Sequence, residues 1–146
     1  MKLEILSLCK AAVVEHHALS ILSAMDRLHA TKVPCVLPRC SVAVRLRFDR
    51  IEAGGHELKL HVVDADGRGV MNPLQAKLGV AFGDKDRTAA ISLVIDINGL
   101  SLPSFGEYSI DLAVDSLHIG SIPFTLVEQR LPAPPAANGG EFPERS

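Results

Sequence analysis

Tryptophan is missing from this chain, and tyrosine occurs once, at position 108. Sites for single-stranded nucleic acid and for sugars use exposed aromatic platforms on which bases or rings stack. A chain whose single tyrosine reads as inward-facing has almost nothing to offer there. Strong charge is missing too: the formal net charge is -2, so no overall field draws the protein onto nucleic acid or an anionic membrane. No stretch approaches the ~20 apolar residues of a membrane span. The expectation is no nucleic acid and no membrane.

Cysteine is scarce and odd in number, with Cys9, Cys35 and Cys40. An odd count cannot complete a disulfide framework and fits reduced thiols. Met1-Lys2 followed by Leu3 to Cys9 resembles an export signal only superficially, because Glu4 and Lys10 cut the apolar run short. These features read as cytoplasmic.

Catalytic punctuation is also lacking. No Gly-x-Ser-x-Gly elbow occurs, and no glycine-rich loop joins a strand to a helix. Asp64-Ala65-Asp66-Gly67 begins like a calcium loop, but its twelfth position is Gln75 where a bidentate glutamate is required. His16 and His17 are adjacent, so on a strand they point to opposite faces. Cys35 and Cys40 have no second pair to complete a tetrahedral zinc site. Asp96, Glu107 and Asp111 alternate outward and read as solvated faces. No cofactor and no metal are expected.

What the chain does have is alternation. Val42, Val44, Leu46 and Phe48 face one way in Ser41–Asp49, and Leu58, Leu60 and Val62 do so in Glu57–Val63. Leu74 to Phe82, Ile91 to Ile97, Tyr108 to Val114 and Ile122 to Leu126 repeat the pattern. Period two marks strands with one face on a core and one face wet. Leu3–Val14 and Leu19–Leu28 are apolar on both faces. Neither has a clean helical stripe, which favours strands over the helical hairpin that Leu, Ala and Met would also suit. Their two-sidedness predicts a central position or a subunit contact, with Glu15-His16-His17 as the turn.

Turn signals fit this count. Gly54-Gly55 reads as a hairpin turn between Ser41–Arg50 and His56–Val63, and Asp64 to Gly67, Gly83 to Asp86 and Asn98-Gly99 mark other reversals. Pro123 inside the last strand predicts an edge or a bulge. After Arg130 the composition turns Pro/Gly-rich. The organisation is therefore one β-sandwich domain over residues 1–130 and a disordered tail over 131–146. The fold class expected is all-β, an antiparallel two-sheet sandwich of about eight strands.

Gly106-Glu107-Tyr108-Ser109-Ile110-Asp111-Leu112 resembles the penultimate strand of immunoglobulin-like and fibronectin-like sandwiches. That resemblance implies a tyrosine bonded back to the backbone near a sheet corner. Lys2 to Leu6, Pro38 to Phe48 and Gly106 to Asp115 together resemble a family of uncharacterised bacterial proteins of about this length. This implies a free-standing domain and carries over no catalytic residue.

One outward cluster is a candidate site. If Ser41–Arg50 and His56–Val63 form a hairpin, Arg45, Arg47, Lys59 and His61 share a face suited to an anionic partner. A solvated face balanced by Asp49 and Glu57 is the plainer reading. The function expected is a non-catalytic interaction module with a protein partner or itself, a homo-oligomer. The alternative is a small metal- or anion-dependent enzyme or binder built on His16, His17, Asp64 or Asp66.

Overall fold

The computed structural model describes residues 1–130; the tail expected over 131–146 lies outside the described residues. Within them the chain is all-β. The strands are β1 (Lys2–Glu15), β2 (Ala18–Ala24), β3 (Arg27–Ala30), β4 (Cys35–Asp49), β5 (Gly54–Asp64), β6 (Leu74–Val80), β7 (Thr88–Leu102), β8 (Gly106–Val114) and β9 (Leu117–Glu128), with a 3₁₀ turn at Arg50–Glu52. One sheet runs β2-β1-β4-β7 and the other β3-β9-β8-β5-β6.

The alternating residues supply the core between the sheets. Val42, Val44, Leu46 and Phe48 of β4 meet Leu58, Leu60 and Val62 of β5 and Ile110, Leu112 and Val114 of β8, all essentially out of water. Burial on this scale is the main favourable term in folding.

Several sequence expectations need correction. The five-stranded sheet is mixed, because β3 runs parallel to β9, so the sandwich is not purely antiparallel. That sheet curls into a half-barrel, and the immunoglobulin-like assignment does not follow from it. Gly54 and Gly55 are no hairpin turn: they lie inside β5, and the 3₁₀ turn after β4 carries the chain from one sheet to the other. Asn98-Gly99 is no reversal either, since β7 runs straight through it. There the ladder omits one pair, Pro38 opposite Gly99, between Leu37–Leu100 and Arg39–Asn98. Gly99 has φ +72°, and the inward face moves from Ile97 to Leu100.

The two-sided apolar segments also find an explanation. A bulge between Leu3 and Ile5 shifts the β1–β4 register, so Leu3, Leu6 and Leu8 all sit opposite inward residues of β4. The strand β1 is central, as its two-sidedness predicts, whereas β2, from the second two-sided segment, lies at the edge of the sheet. The next segment is not one strand: β2 ends at Ala24, and the chain crosses to the other sheet before Arg27. The β1–β2 turn is made by His16 and His17, with φ 51° and 64°, the paired left-handed residues of a tight hairpin. Pro123 lies just before Thr125, where β3 begins to cover β9, so its missing N–H belongs to the uncovered part of that strand.

Candidate functional site

The four candidate residues separate into two pairs. Arg45 and Arg47 point out from the four-stranded sheet, whereas Lys59 and His61 lie on β5 in the five-stranded one, where His61 sits opposite Asp111. The hairpin that was to unite them does not exist, because β4 and β5 are not paired. The two pairs share no face.

Both arginines close on one carboxylate. Arg45 Nε reaches Glu4 Oε1 at 2.9 Å and Arg47 Nε reaches Glu4 Oε2 at 2.7 Å. Their outer nitrogens then donate to Ser92 Oγ at 3.1 Å and Thr88 Oγ1 at 2.9 Å on β7. Glu4 follows the inward-facing Leu3 and so falls on this outer face, beside the bulge. The bond from Arg47, helped by Arg45, holds the Glu4 carboxyl below its ordinary range against a smaller opposing desolvation. This ladder ties three strands together. It leaves little of either guanidinium fork for a ligand.

On the other sheet, Asp111 Oδ1 accepts from Ser109 Oγ at 2.8 Å and from Ser121 Oγ at 2.6 Å, while His118 Nε2 lies 3.3 Å from Ser121 Oγ. Serine, histidine and carboxylate meet here, a grouping that no sequence motif signalled. The order is wrong for an activated nucleophile. The single Ser121 proton goes to Asp111, so His118 can only donate to the oxygen it would need to deprotonate.

His56 is fully engaged as well. Its Nε2 is 2.6 Å from the Glu52 carbonyl oxygen and its Nδ1 2.6 Å from Asp115 Oδ2. A carbonyl only accepts, so Nε2 carries a proton, and Nδ1 facing a carboxylate favours a second. The Glu52 carbonyl first, then Asp115, raises the His56 pKa. Asp115 in turn takes the Glu57 amide at 2.9 Å, and that bond, followed by His56, keeps its carboxyl low. Asp64 Oδ1 accepts the amides of Asp66 and Arg68, both at 2.9 Å, which makes the calcium-like loop a self-bonded turn.

Among the described residues, the outer edge of β7 has no partner strand. There β7 pairs with β4 alone. Every residue from Ala89 to Ile95 is half-buried on one face or the other. Asp96 is its only charged residue, and it contains no proline. Edge strands are usually blunted by lysine, proline, bulges or a cover, since unpaired N–H and C=O groups recruit another strand. Between Thr88 and Asn98 none of these appears among the described residues. Sequence reading missed this because Ile91, Leu93 and Ile95 alternate like any core strand. Edge position belongs to topology, not to pattern.

The fold is similar to part of a solved structure, a Pseudomonas fluorescens alkylpurine DNA glycosylase AlkC bound to DNA containing an abasic site analog. The identity is 12% and the TM-score 0.50, with 86% of this chain and 30% of that chain covered. This chain thus spans under a third of that protein's length. The finding overturns the expectation that nucleic acid is excluded: a fold of this kind occurs within a DNA-bound protein, so scarce aromatics and a net charge of -2 do not rule that partner out. No curated protein matches the chain. No described helix is long and apolar enough to cross a membrane, which says nothing of β-barrels. Residues 4–127 match a family described as being of unknown function, DUF6941, and with most of its length so matched the chain belongs to that family.

Proposed function

We propose that this chain is a non-catalytic interaction module that takes its partner by strand addition at the outer edge of β7. One observation carries the reading: a long edge strand, free of proline and nearly free of charge, with no cover among the described residues. Main-chain bonds to an added strand supply affinity, and alternate side chains supply selectivity. The engagement of polar groups elsewhere supports it. Arg45 and Arg47 are held by Glu4, His56 by Asp115 and Glu52, and Ser121 by Asp111.

A synthetic peptide of alternating valine and threonine tests the reading. Dilute protein should bind it, and methylating alternate peptide nitrogens should abolish binding by removing the main-chain donors. Absent binding, or binding indifferent to methylation, would reject strand addition.

A second reading is contact with nucleic acid. It is favoured by the likeness to the DNA-bound glycosylase and by Arg39, whose side chain is 68% exposed on the same outer face as Arg45 and Arg47. Fluorescence anisotropy with a labelled duplex containing an abasic analogue should then show binding that weakens with salt and with Arg39→Glu.

A further inference from the structure

We infer that the strand added at β7 is β7 of a second copy, antiparallel and centred on Leu93; this rests on the strand-addition reading above. Two copies related by a two-fold axis pair residue i with residue j at a constant sum, and facing residues point to the same side of the sheet. Core-facing residues must meet core-facing residues, so only even sums are allowed. Within β7 the core-facing set before Asn98 is Ala89, Ile91, Leu93, Ile95 and Ile97, each opposite an inward residue of β4.

Centring on Leu93 sets Leu93 against itself, Ile91 against Ile95 and Ala89 against Ile97. The half-buried Ile91, Leu93 and Ile95 then extend one core into the next. On the outer face Ser92 meets Val94, and Asp96 meets Ala90. This register also uses the whole of 88–98, which is the regular part of the strand before Gly99 turns to φ +72°.

Length and charge together select among the neighbouring registers. Ala90 lies beside Arg47 on its own β4. Asp96 of one copy, whose own-chain contacts are Ser41 and Arg39, therefore comes up on the side of the other where two arginines share the single carboxylate of Glu4. Centring on Ser92 would instead bring Asp96 opposite Thr88, which Arg47 holds and whose β4 neighbour is Asp49, and would leave Ile97 with no partner residue inside the strand. Centring on Val94 keeps an arginine neighbour, Arg45 beside Ser92, but shortens the pairing and sets Ala89 against Gly99. No other charged side chain of β7 enters the contact, so the pairing meets no repulsion along its length.

Sedimentation equilibrium of the full chain over a concentration series provides the test, with two variants. Val94→Lys places a lysine of each copy on the outer face of the pair, and the protein should become monomeric. Ala90→Asp is milder: in the monomer the new carboxylate lies beside Arg47, so folding is retained, whereas in the pair it faces Asp96 of the partner. Its dimer should dissociate at least tenfold more readily, with an unchanged circular-dichroism spectrum and melting temperature at dilution.

A wild-type protein that stays monomeric at its highest soluble concentration would overturn the second copy as occupant. If that monomer still bound the valine–threonine peptide, strand addition would stand and only the identity of the strand would be wrong. If neither dimer nor peptide binding appeared, both readings would fall together. A dimer equally stable in both variants would place the contact on another surface and also reject the proposal.

Discussion

Tyr108 donates its phenolic hydroxyl to the Ser104 carbonyl at 2.6 Å and accepts the Ser104 amide at 3.2 Å, closing the corner that leads into β8. Its ring stacks on Phe124 of β9, with centroids 5.3 Å apart. One side chain therefore joins the loop to both strands. Tyr108→Phe keeps the stack and removes both bonds, and should cost about 1–3 kcal/mol because the Ser104 groups lose a partner in a part-buried place. A lower urea midpoint with an unchanged slope is the expected readout.

His56 gives stability a pH dependence of known sign. Its folded pKa lies above the ordinary 6.5, because the imidazolium donates to Glu52 and Asp115. The folded state therefore holds this proton more tightly than the unfolded chain does. The contribution is complete below the unfolded value and disappears as pH rises through the folded one. Unfolding free energy measured on the alkaline side of 6.5 should fall with pH in wild type, and fall less in His56→Gln.

Glu4 acts at the other end of the scale. Its folded pKa is lowered by Arg47 and Arg45, so its contribution is present above the unfolded carboxylate range and is lost as pH falls through the folded value. Glu4→Gln should remove that acid-side dependence. The loss at neutral pH should be small and should vanish in high salt, as for an exposed ion pair.

Gly120 is a packing glycine. A Cβ there would run into Leu3 Cδ2, the tip of a side chain from the opposite sheet. Leu3 can rotate, although only within a packed neighbourhood, so Gly120→Ala should cost about 1–3 kcal/mol by overpacking. The double variant Gly120→Ala, Leu3→Ala should lose less than the sum of its parts in a denaturation cycle.

Period-two patterning made the core readable in advance, since Val42, Leu60 and Leu112 could face only one way. It could not show which sheet each strand joins. The sequences around Ala53-Gly54-Gly55 and Asn98-Gly99 carry turn composition, yet the first begins a strand and the second lies opposite Pro38 within a continuous ladder. The Arg45–Glu4 contact was likewise hidden, because it depends on β1 pairing with β4, which no local residue preference announces. Lys59 and His61 share a face with the arginines only if a hairpin across Gly54-Gly55 pairs their strands, and β4 and β5 belong to different sheets. The open edge of β7 follows from strand order, the property least encoded by any single segment.

The parallel pairing of Arg27–Ala30 with Thr125–Glu128 has a kinetic consequence. A segment near the start of the chain has to wait for the last strand before it finds a partner. Closing so large a loop is slow, and it is repaid only when nearly all the other strands are in place. During synthesis Leu28, buried in the finished protein, stays exposed until β9 has emerged. The β3–β9 seam is therefore expected to close late, and a chain stalled before Leu126 carries Leu28 with no strand to dock on.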